Sequence, residues 1–417
     1  MTTTAPTDDV GEASRALVLA LLALACGHML STLLRTIPAI SLDLMARDFG
    51  LQPQALASLT SIYHFAFAAS QIPVGAAMDR FGVRPVSLAL LAGTVAGAIV
   101  SGFAAGAASF ACGQLLLGIA TSGMLMGPMT LAAKQLSPAR FGVWSGAILS
   151  IGNIGMLLSA SPLAYVVDLH GWRAGFWISA LAGLGVALAV FALVPQQPAD
   201  QKDTSSPLAQ MIEVLRLGLS RRLRGLVAMA MVALATPLAL RGLWGGPWLM
   251  DVKGVSRVEA GNQLGAFTLA MIVGPVLIGM IDRGLGRRRA LVAGTYLVAA
   301  ALFALMALGA PHLAVSTLFG TAMMPPAYDL VLFVLIGLVT SAQPMLFAMA
   351  RQTVDATTAG KALAAINLAF FLGTALMQST TGAVAAVAGL PAVLLFMSAA
   401  LVAGTLLFLA WTPARRV

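Results

Sequence analysis

The sequence predicts an all-α membrane protein with twelve transmembrane helices in two pseudo-symmetric six-helix bundles. Only 9% of the 417 residues are charged, whereas about a quarter of the residues in a soluble protein are charged. Apolar residues make up 59% of the chain, and they gather in runs close to the roughly 20 residues that a helix needs to cross a bilayer. A charged turn also recurs at matching places in the two halves, which indicates an internal repeat.

The apolar runs set the order of the predicted elements. They lie at residues 16–41, 55–78, 85–107, 109–132, 143–166, 173–194, 225–249, 259–281, 290–310, 328–350, 362–387 and 390–411. A polar stretch separates the sixth run from the seventh, and within it Leu208–Leu219 has the pattern of a short amphipathic helix. The predicted organisation is a tail at 1–15, a first bundle at 16–194, a linker at 195–224, a second bundle at 225–411 and a tail at 412–417.

The positions of the basic residues predict the orientation. If the N-terminus is cytoplasmic, eighteen of the 24 Lys and Arg residues fall in cytoplasmic segments, four fall in outer loops and two lie inside apolar runs. An excess of Lys and Arg marks the cytoplasmic side, so we expect both termini and the linker in the cytoplasm of a bacterial cell, with the helices in its inner membrane. The net charge of +9 therefore reflects topology, and we expect no nucleic-acid partner. The acidic first residues lack the features of a signal peptide.

The repeated charged turn is the most specific motif. It follows the second run as Gly75, Asp79, Arg80, Gly82 and Arg84, and it follows the eighth run as Gly279, Asp282, Arg283, Gly286 and Arg288. On these residues the chain resembles the major facilitator superfamily. That resemblance implies a secondary transporter with its substrate site between the two bundles and alternating access by rocking. It also gives a conformational role, rather than substrate binding, to Gly75, Asp79, Arg80, Gly82, Arg84, Asp282 and Arg283.

Two arginines inside apolar runs are the leading candidates for substrate binding. Arg35 lies in the first run and Arg241 in the seventh, which are equivalent in the repeat. A charge within a membrane helix is costly and usually functional, and a guanidinium group matches carboxylate geometry. We therefore predict that the two side chains face each other and hold an anion. The alternative is that they snorkel to the outer interface or pair with Asp43, Asp251 or Asp329.

Further polar residues complete the predicted site. Tyr63 and His64 lie on the second run, where Tyr63 could bond to the substrate and His64 could relay a proton; His28 on the first run is another candidate relay. The remaining candidates are Asn153, Gln343, Asn367 and Gln378. Each of these four could instead be a hydrogen bond between helices. Gly245, Gly246 and Pro247 suggest that the seventh helix breaks, with Trp244 and Trp248 as gate or interface anchors.

The leading functional interpretation is import of a small organic anion of the carboxylate type, with proton symport, by a monomer. A drug or metabolite exporter with proton antiport is the alternative. Less favoured are a sensor that keeps the fold without transport and a copper transporter, an idea raised by the 21 methionines. Proton-coupled exporters of the family generally carry an acid within a helix, and no run has Asp or Glu near its middle. The sequence shows no enzyme constellation, cofactor motif or metal cluster, so we expect none of these.

Overall fold

The computed structural model describes residues 15–196, 207–355 and 358–413. These residues form helices and turns, and no strand occurs among them. Twelve helical segments are numbered in chain order. They are α1 Arg15–Thr36, α2 Pro53–Phe81, α3 Val83–Gly102, α4 Ala107–Gln135, α5 Pro138–Leu158 continued by Ser161–His170, α6 Arg173–Leu193, α7 Arg224–Val252, α8 Arg257–Leu285, α9 Arg288–Leu308, α10 Pro326–Thr353, and α11 and α12, which together span Ala359–Trp411.

Ten helices in the described ranges are long and apolar enough to cross a membrane. The last of them, Ala359–Trp411, has 53 residues, which would give a straight helix of about 80 Å, more than twice the thickness of the bilayer core. Gly389 interrupts it with a φ of 76°, so we treat residues 359–388 as α11 and 390–411 as α12. The 29-residue helix α2 is not among the ten but is long enough to span. The structure is thus consistent with twelve spans.

Contacts between helix ends define the two ends of the bundle. The start of α3 bonds to the end of α6, where Arg84 donates to the carbonyl of Phe191. The start of α9 bonds to the end of α12, where Arg289 donates to the carbonyl of Leu409 (2.5 Å). We call this end, which also carries Arg15 and the described end of α12, the base. The opposite end, where α1 leads into α2, is the rim.

The two halves meet along two pairs of helices. Helix α2 packs against α11, and Asn367 donates to the side chain of Gln71 across this contact (2.8 Å). Helix α5 packs against α8 near the rim, where Ser161 donates to the side chain of Asn262 (2.5 Å). Both pairs join the first half to the second. The groups between these contacts, on α1, α2, α7 and α11, therefore lie at the interface of the halves.

The rim portions of the equivalent helices α1 and α7 differ from the prediction. Helix α1 ends at Thr36 and continues as a 3-10 turn, Ile37–Ile40, since Pro38 cannot donate a backbone hydrogen bond. The predicted break in α7 is wrong, because π-helical turns at Leu240–Trp244 and Trp248–Val252 carry the chain through without interruption. The lack of a side chain at Gly246 matters here: a Cβ on it would overlap the carbonyl oxygen of Ala39. The 3-10 turn that follows α1 and helix α7 at Gly246 therefore pack backbone to backbone.

The predicted linker helix is observed as Pro207–Gly218, close to Leu208–Leu219. Its Glu213 pairs with Lys361 at the start of α11 (2.5 Å). Linker residues 197–206, together with residues 1–14 and 414–417, lie outside the described residues. The predicted division into domains stays a prediction.

The orientation can be tested by cysteine labelling. We expect Ser205→Cys, in the linker, to react with an impermeant maleimide only from the cytoplasmic side. Leu318→Cys should react only from the opposite side, because Leu318 is exposed (82%) at the end of the short helix Ala314–Leu318, which lies at the rim. The control is Val292→Cys, since Val292 is fully buried in α9 and should stay unlabelled. Reaction of position 205 from outside would reverse the predicted topology.

Candidate functional site

Arg35 has no acidic partner among the described residues. Its guanidinium donates within α1, from Nε to the carbonyl of Ser31 (3.3 Å) and from Nη2 to the hydroxyl of Ser31 (3.1 Å). It lies beside two phenyl rings, 5.5 Å from the centre of Phe67 on α2 and 5.7 Å from that of Phe371 on α11. The side chain is half-buried. A guanidinium has five N–H groups, so several donors remain for another molecule at this interface.

His64 lies near Arg35 and is buried without hydrogen bonds of normal geometry. Its side chain is 2% exposed, and neither ring nitrogen has a partner within the described structure. The amide of Gln378, on α11, approaches the imidazole, and the charge of Arg35 acts on it. The Oε1 atom of Gln378 is also buried without a donor. Unsatisfied buried polar groups are uncommon and call for an explanation; this pair lies across the interface of the halves.

Tyr63, the second predicted site residue on α2, packs within the first half. Its hydroxyl is 2.6 Å from that of Thr121 on α4, and its side chain is 2% exposed. The rings of Tyr63, His64 and Phe67 form a row, with centres 5.0 Å apart for the first two and 6.0 Å apart for Tyr63 and Phe67. The row continues across the interface to Phe371, 4.2 Å from Phe67. Aromatic side chains therefore connect the neighbourhood of Arg35 to that of His64.

Arg241 joins the halves in this conformation. It is fully buried and donates from Nε to the hydroxyl of Thr268 on α8 (2.7 Å). From Nη2 it donates to the carbonyl of Met156 and to the hydroxyl of Ser159 (3.1 Å), both on or next to α5. Nη1 has no partner among the described residues. The guanidinium thus directs its Nη2 donors to the first half.

The two arginines are linked through α5 and by the close approach of α1 and α7. The hydroxyl of Ser159 also lies 2.6 Å from that of Thr36, the residue after Arg35. A Cβ at Gly242 would lie 3.5 Å from the carbonyl oxygen of Arg35. Neither arginine pairs with Asp43 or Asp329, which have other cationic partners. A single anion held by both guanidinium groups stays a prediction.

The other predicted polar residues are divided between contacts within and between the halves. Asn367 bonds to Gln71 across the interface. Gln343 donates weakly to the carbonyl of Ala233 within the second half (3.4 Å). Asn153 is half-buried on α5. His28 packs against Gly152, also on α5: a Cβ at Gly152 would lie 2.1 Å from the imidazole. Arg35, His64 and Gln378 are therefore the group that the structure brings together.

A clamp at the rim was not predicted from the sequence, in which Arg257 is one of the four basic residues expected in outer loops. At the start of α8, Arg257 forms a bidentate pair with Asp43 of the first half (3.0 and 2.7 Å). It also bonds to Asp168, at the end of α5 (2.9 Å), and to the carbonyl of Ile40. We call Arg257, Asp43 and Asp168 the rim clamp. Both of its ion pairs join the second half to the first. The rim is thus closed.

A buried ion pair was also not predicted from the sequence. Lys253 is one of the four basic residues expected in outer loops, yet both its side chain and that of Asp329 are 0% exposed, with Nζ 3.1 Å from Oδ2. Nζ also donates to the carbonyls of Gly309 (3.0 Å) and Met324 (3.1 Å), and Trp248 donates to the other carboxylate oxygen (2.8 Å). Lys253, which follows α7, is thereby tied to the first turn of α10 and to the α9–α10 connection. Trp248 is therefore buried, as is Trp244, which donates to Thr381 on α11 (2.8 Å).

The two charged turns lie at the base, and in the described parts of the chain they make no ion pair between the halves. Asp282 pairs with Arg288 in its own half (2.7 Å), and Arg84 bonds within the first half. Asp79 and Arg80 are exposed. Among the described residues, the ion pairs between the two halves therefore lie at the rim.

We expect Asp79→Asn to slow the transport cycle and to leave substrate affinity nearly unchanged. Asp79 lies at the base, about three helical turns beyond Phe67 on α2, so its charge acts on the conformation of the base. The measurement is turnover against equilibrium binding in the same preparation. A loss of affinity as large as the loss of turnover would contradict the conformational role.

Comparison with known proteins identifies the family of this chain. The model of the Major Facilitator Superfamily matches residues 24–328. The chain belongs to the Major Facilitator Superfamily. Its long apolar helices agree with a multi-pass membrane protein. Among the described residues, no three His, Cys, Asp or Glu side chains come together as a metal site.

Relatives of known name divide between different activities. The chain is 27% identical over 348 residues to the tetracenomycin C resistance and export protein of Streptomyces glaucescens, with 70% of this chain and 63% of that protein covered. It is 23% identical over 256 residues to a Bacillus subtilis (strain 168) protein named for niacin and nicotinamide transport, with 61% of this chain and 63% of that protein covered. The chain thus spans less than two thirds of the length of each.

Solved structures show the same fold. A mutant of the nucleoside transporter NupG superposes with a TM-score of 0.75 at 14% identity, covering 95% of this chain and 100% of that one. A D-xylose-proton symporter gives a TM-score of 0.74 at 17% identity, covering 95% of this chain and 98% of that one. At identities this low, the similarity shows the fold alone and does not indicate the substrate.

Proposed function

We propose that this transporter imports a small organic anion of the carboxylate type, with Arg35 as the residue that holds the carboxylate. The observation that carries the proposal is the guanidinium of Arg35 at the interface of the halves without an acidic partner among the described residues. Burying a charge without a partner is costly. A carboxylate that accepts its free N–H groups would offset that cost with charge-assisted hydrogen bonds.

The rim clamp suggests how transport proceeds. With the rim closed by Arg257, access to Arg35 in this conformation is proposed to be from the base. If the base is cytoplasmic, as the basic loops predict, this conformation is the one that releases an imported substrate. Opening of the rim must break the bonds of Arg241 to α5, which would free its guanidinium. Arg241 is therefore proposed to contact the anion when the rim is open and to bridge the halves when it is closed.

Proton symport is proposed on the basis of His64. The imidazole lies within reach of the charge of Arg35 and lacks normal hydrogen bonds. Protonation of His64 is unfavourable, first because the ring is buried and then because the nearby guanidinium carries a like charge. An anion bound to Arg35 would remove most of that repulsion, so anion and proton would each favour the binding of the other, as linkage requires.

Export remains the second candidate, since one relative is named for resistance and export. An exporter would expel its substrate in exchange for protons, so the direction of the response to a pH gradient separates the two candidates. The described structure places no Asp or Glu beside Arg35, which is the observation that favours import.

Transport in proteoliposomes tests the proposal. We expect uptake of radiolabelled monocarboxylates to rise when the outside is made acidic. Arg35→Gln should abolish uptake, and Arg35→Lys should lower affinity by roughly 1–3 kcal/mol because Lys lacks the planar fork. Arg47→Gln is the matched control, since Arg47 is exposed at the rim. Acceleration of efflux by outside acid, or full activity in Arg35→Gln, would contradict import of an anion.

A further inference from the structure

The surroundings of Arg35 restrict the kind of anion that fits. Two phenyl rings, one from each half, lie beside the guanidinium at 5.5 and 5.7 Å, and their own centres are 4.2 Å apart. A molecule whose carboxylate bonds to Arg35 therefore has aromatic surface next to its body. A planar ring packs favourably against such surface. A sugar or a hydroxylated chain would lose hydrogen bonds to water there without replacement.

A second group of polar atoms lies along the row of rings that leads from Phe67 to His64. The buried Oε1 of Gln378 lacks a donor, and His64 lacks partners at both ring nitrogens, within the described structure. Both side chains are nine-tenths or more buried, with exposures of 1% and 2%. A neutral imidazole offers one N–H and one bare nitrogen, so even when its N–H meets Oε1 the two side chains keep an excess of acceptors. The ligand group that completes them is a hydrogen-bond donor such as a hydroxyl or an N–H. Beside a neutral imidazole, a second carboxylate would meet these lone pairs with repulsion.

We propose that the substrate is a planar aromatic monocarboxylate that carries a hydrogen-bond donor on its ring. This inference rests on the proposed function, and it adds the substrate class. Arg35 takes the carboxylate, Phe67 and Phe371 contact the ring, and Gln378 with His64 takes the donor. Arg35 recognises the carboxylate end of the ligand, and Gln378 and His64 recognise the donor end, so the two ends are recognised by different chemistry.

Equilibrium binding to the full chain in lipid nanodiscs tests the class with defined probes. The probes are 3-hydroxybenzoate, benzoate, cyclohexanecarboxylate, succinate and benzamide. We expect 3-hydroxybenzoate to bind more tightly than benzoate, and benzoate to exceed cyclohexanecarboxylate by about three- to tenfold, the range that aromatic contacts give. Succinate and benzamide should each bind at least about tenfold more weakly than benzoate. Succinate carries a second carboxylate, and benzamide has no carboxylate.

Variants assign each preference to its residues. Phe67→Leu should bring the affinities for benzoate and cyclohexanecarboxylate close together while it keeps the requirement for a carboxylate. Phe65→Leu is the matched control, since Phe65 lies on the same helix with its ring exposed (37%) and should change neither. Gln378→Leu should remove the advantage of 3-hydroxybenzoate over benzoate. The selectivity of the parent protein is itself decisive if a variant fails to fold.

The outcomes distinguish failure of the aromatic substrate class from failure of the proposed anion transport. If succinate or cyclohexanecarboxylate binds as tightly as benzoate, and Arg35→Gln still abolishes binding, the aromatic class is wrong and anion transport stands. If benzamide binds as tightly as benzoate and Arg35→Gln has no effect, the proposed function fails and this inference fails with it. An unchanged ratio of 3-hydroxybenzoate to benzoate in Gln378→Leu would overturn the role given to Gln378.

Discussion

Replacing Lys253 with methionine should destabilise the second half by about 3–5 kcal/mol, because removal of one partner leaves a buried charge without compensation. Trp248 would be the one side chain still donating to the carboxylate of Asp329 among the described residues, in a place with no exposed surface. The carbonyls of Gly309 and Met324 would lose their donor as well. We expect the apparent melting temperature in detergent to fall accordingly.

A double variant shows how much of this loss of stability comes from the unpaired charge. In Lys253→Met with Asp329→Leu, no charge is left in the cluster, so much of the lost stability should return. Lys361→Met is the matched control: its pair with Glu213 is roughly half exposed (46% and 56%), and an exposed pair contributes about 0–1 kcal/mol. Equal melting temperatures for Lys253→Met and Lys361→Met would contradict the buried pair.

Breaking the rim clamp should open the rim. Arg257→Gln removes the bidentate pair with Asp43 and the bond to Asp168. Because those carboxylates are partly exposed (36% and 44%), we discount the charge-assisted bonds to about 2 kcal/mol in total. That is roughly a thirtyfold change in the ratio of closed to open conformations.

Pulsed electron paramagnetic resonance between spin labels at Leu169 and Leu318 measures this change. Both positions are exposed at the rim, one in each half (59% and 82%). We expect a longer-distance population to grow in Arg257→Gln. Arg173→Gln should leave the distances as they are, since Arg173 pairs with Asp48 inside the first half. Identical distributions in all three proteins would show that the clamp does not hold the rim closed.

The architecture could be predicted because its signals are local. Apolar runs indicated the helices, and the repeated charged turn indicated the family. The predicted helix of the linker differs from Pro207–Gly218 by one residue at each end. The break expected in α7 was wrong because glycine and proline there are accommodated by π-helical turns, which depend on packing against α1 and leave no mark in a single sequence.

The site could be predicted only in part. Unpaired charge inside an apolar run is a local signal, and it led to Arg35 and Arg241. Which side chains are used in other contacts is decided by residues far along the chain: Arg241 bonds to Met156 and Ser159, and Asn367 bonds to Gln71. Lys253 and Arg257 were overlooked because their loop positions suggested exposure. Their partners are distant in sequence, and Asp43 lies 214 positions from Arg257.

The central claim is that Arg35 holds an anion between the two halves, and thermal stabilisation by carboxylates tests it most directly. We expect a monocarboxylate to raise the melting temperature of the parent protein and of Arg47→Gln, while its neutral amide does not. Arg35→Gln should fold but show no rise, because the guanidinium is the group that pairs with the carboxylate. Stabilisation of Arg35→Gln equal to that of the parent, or stabilisation by neutral solutes alone, would contradict the claim.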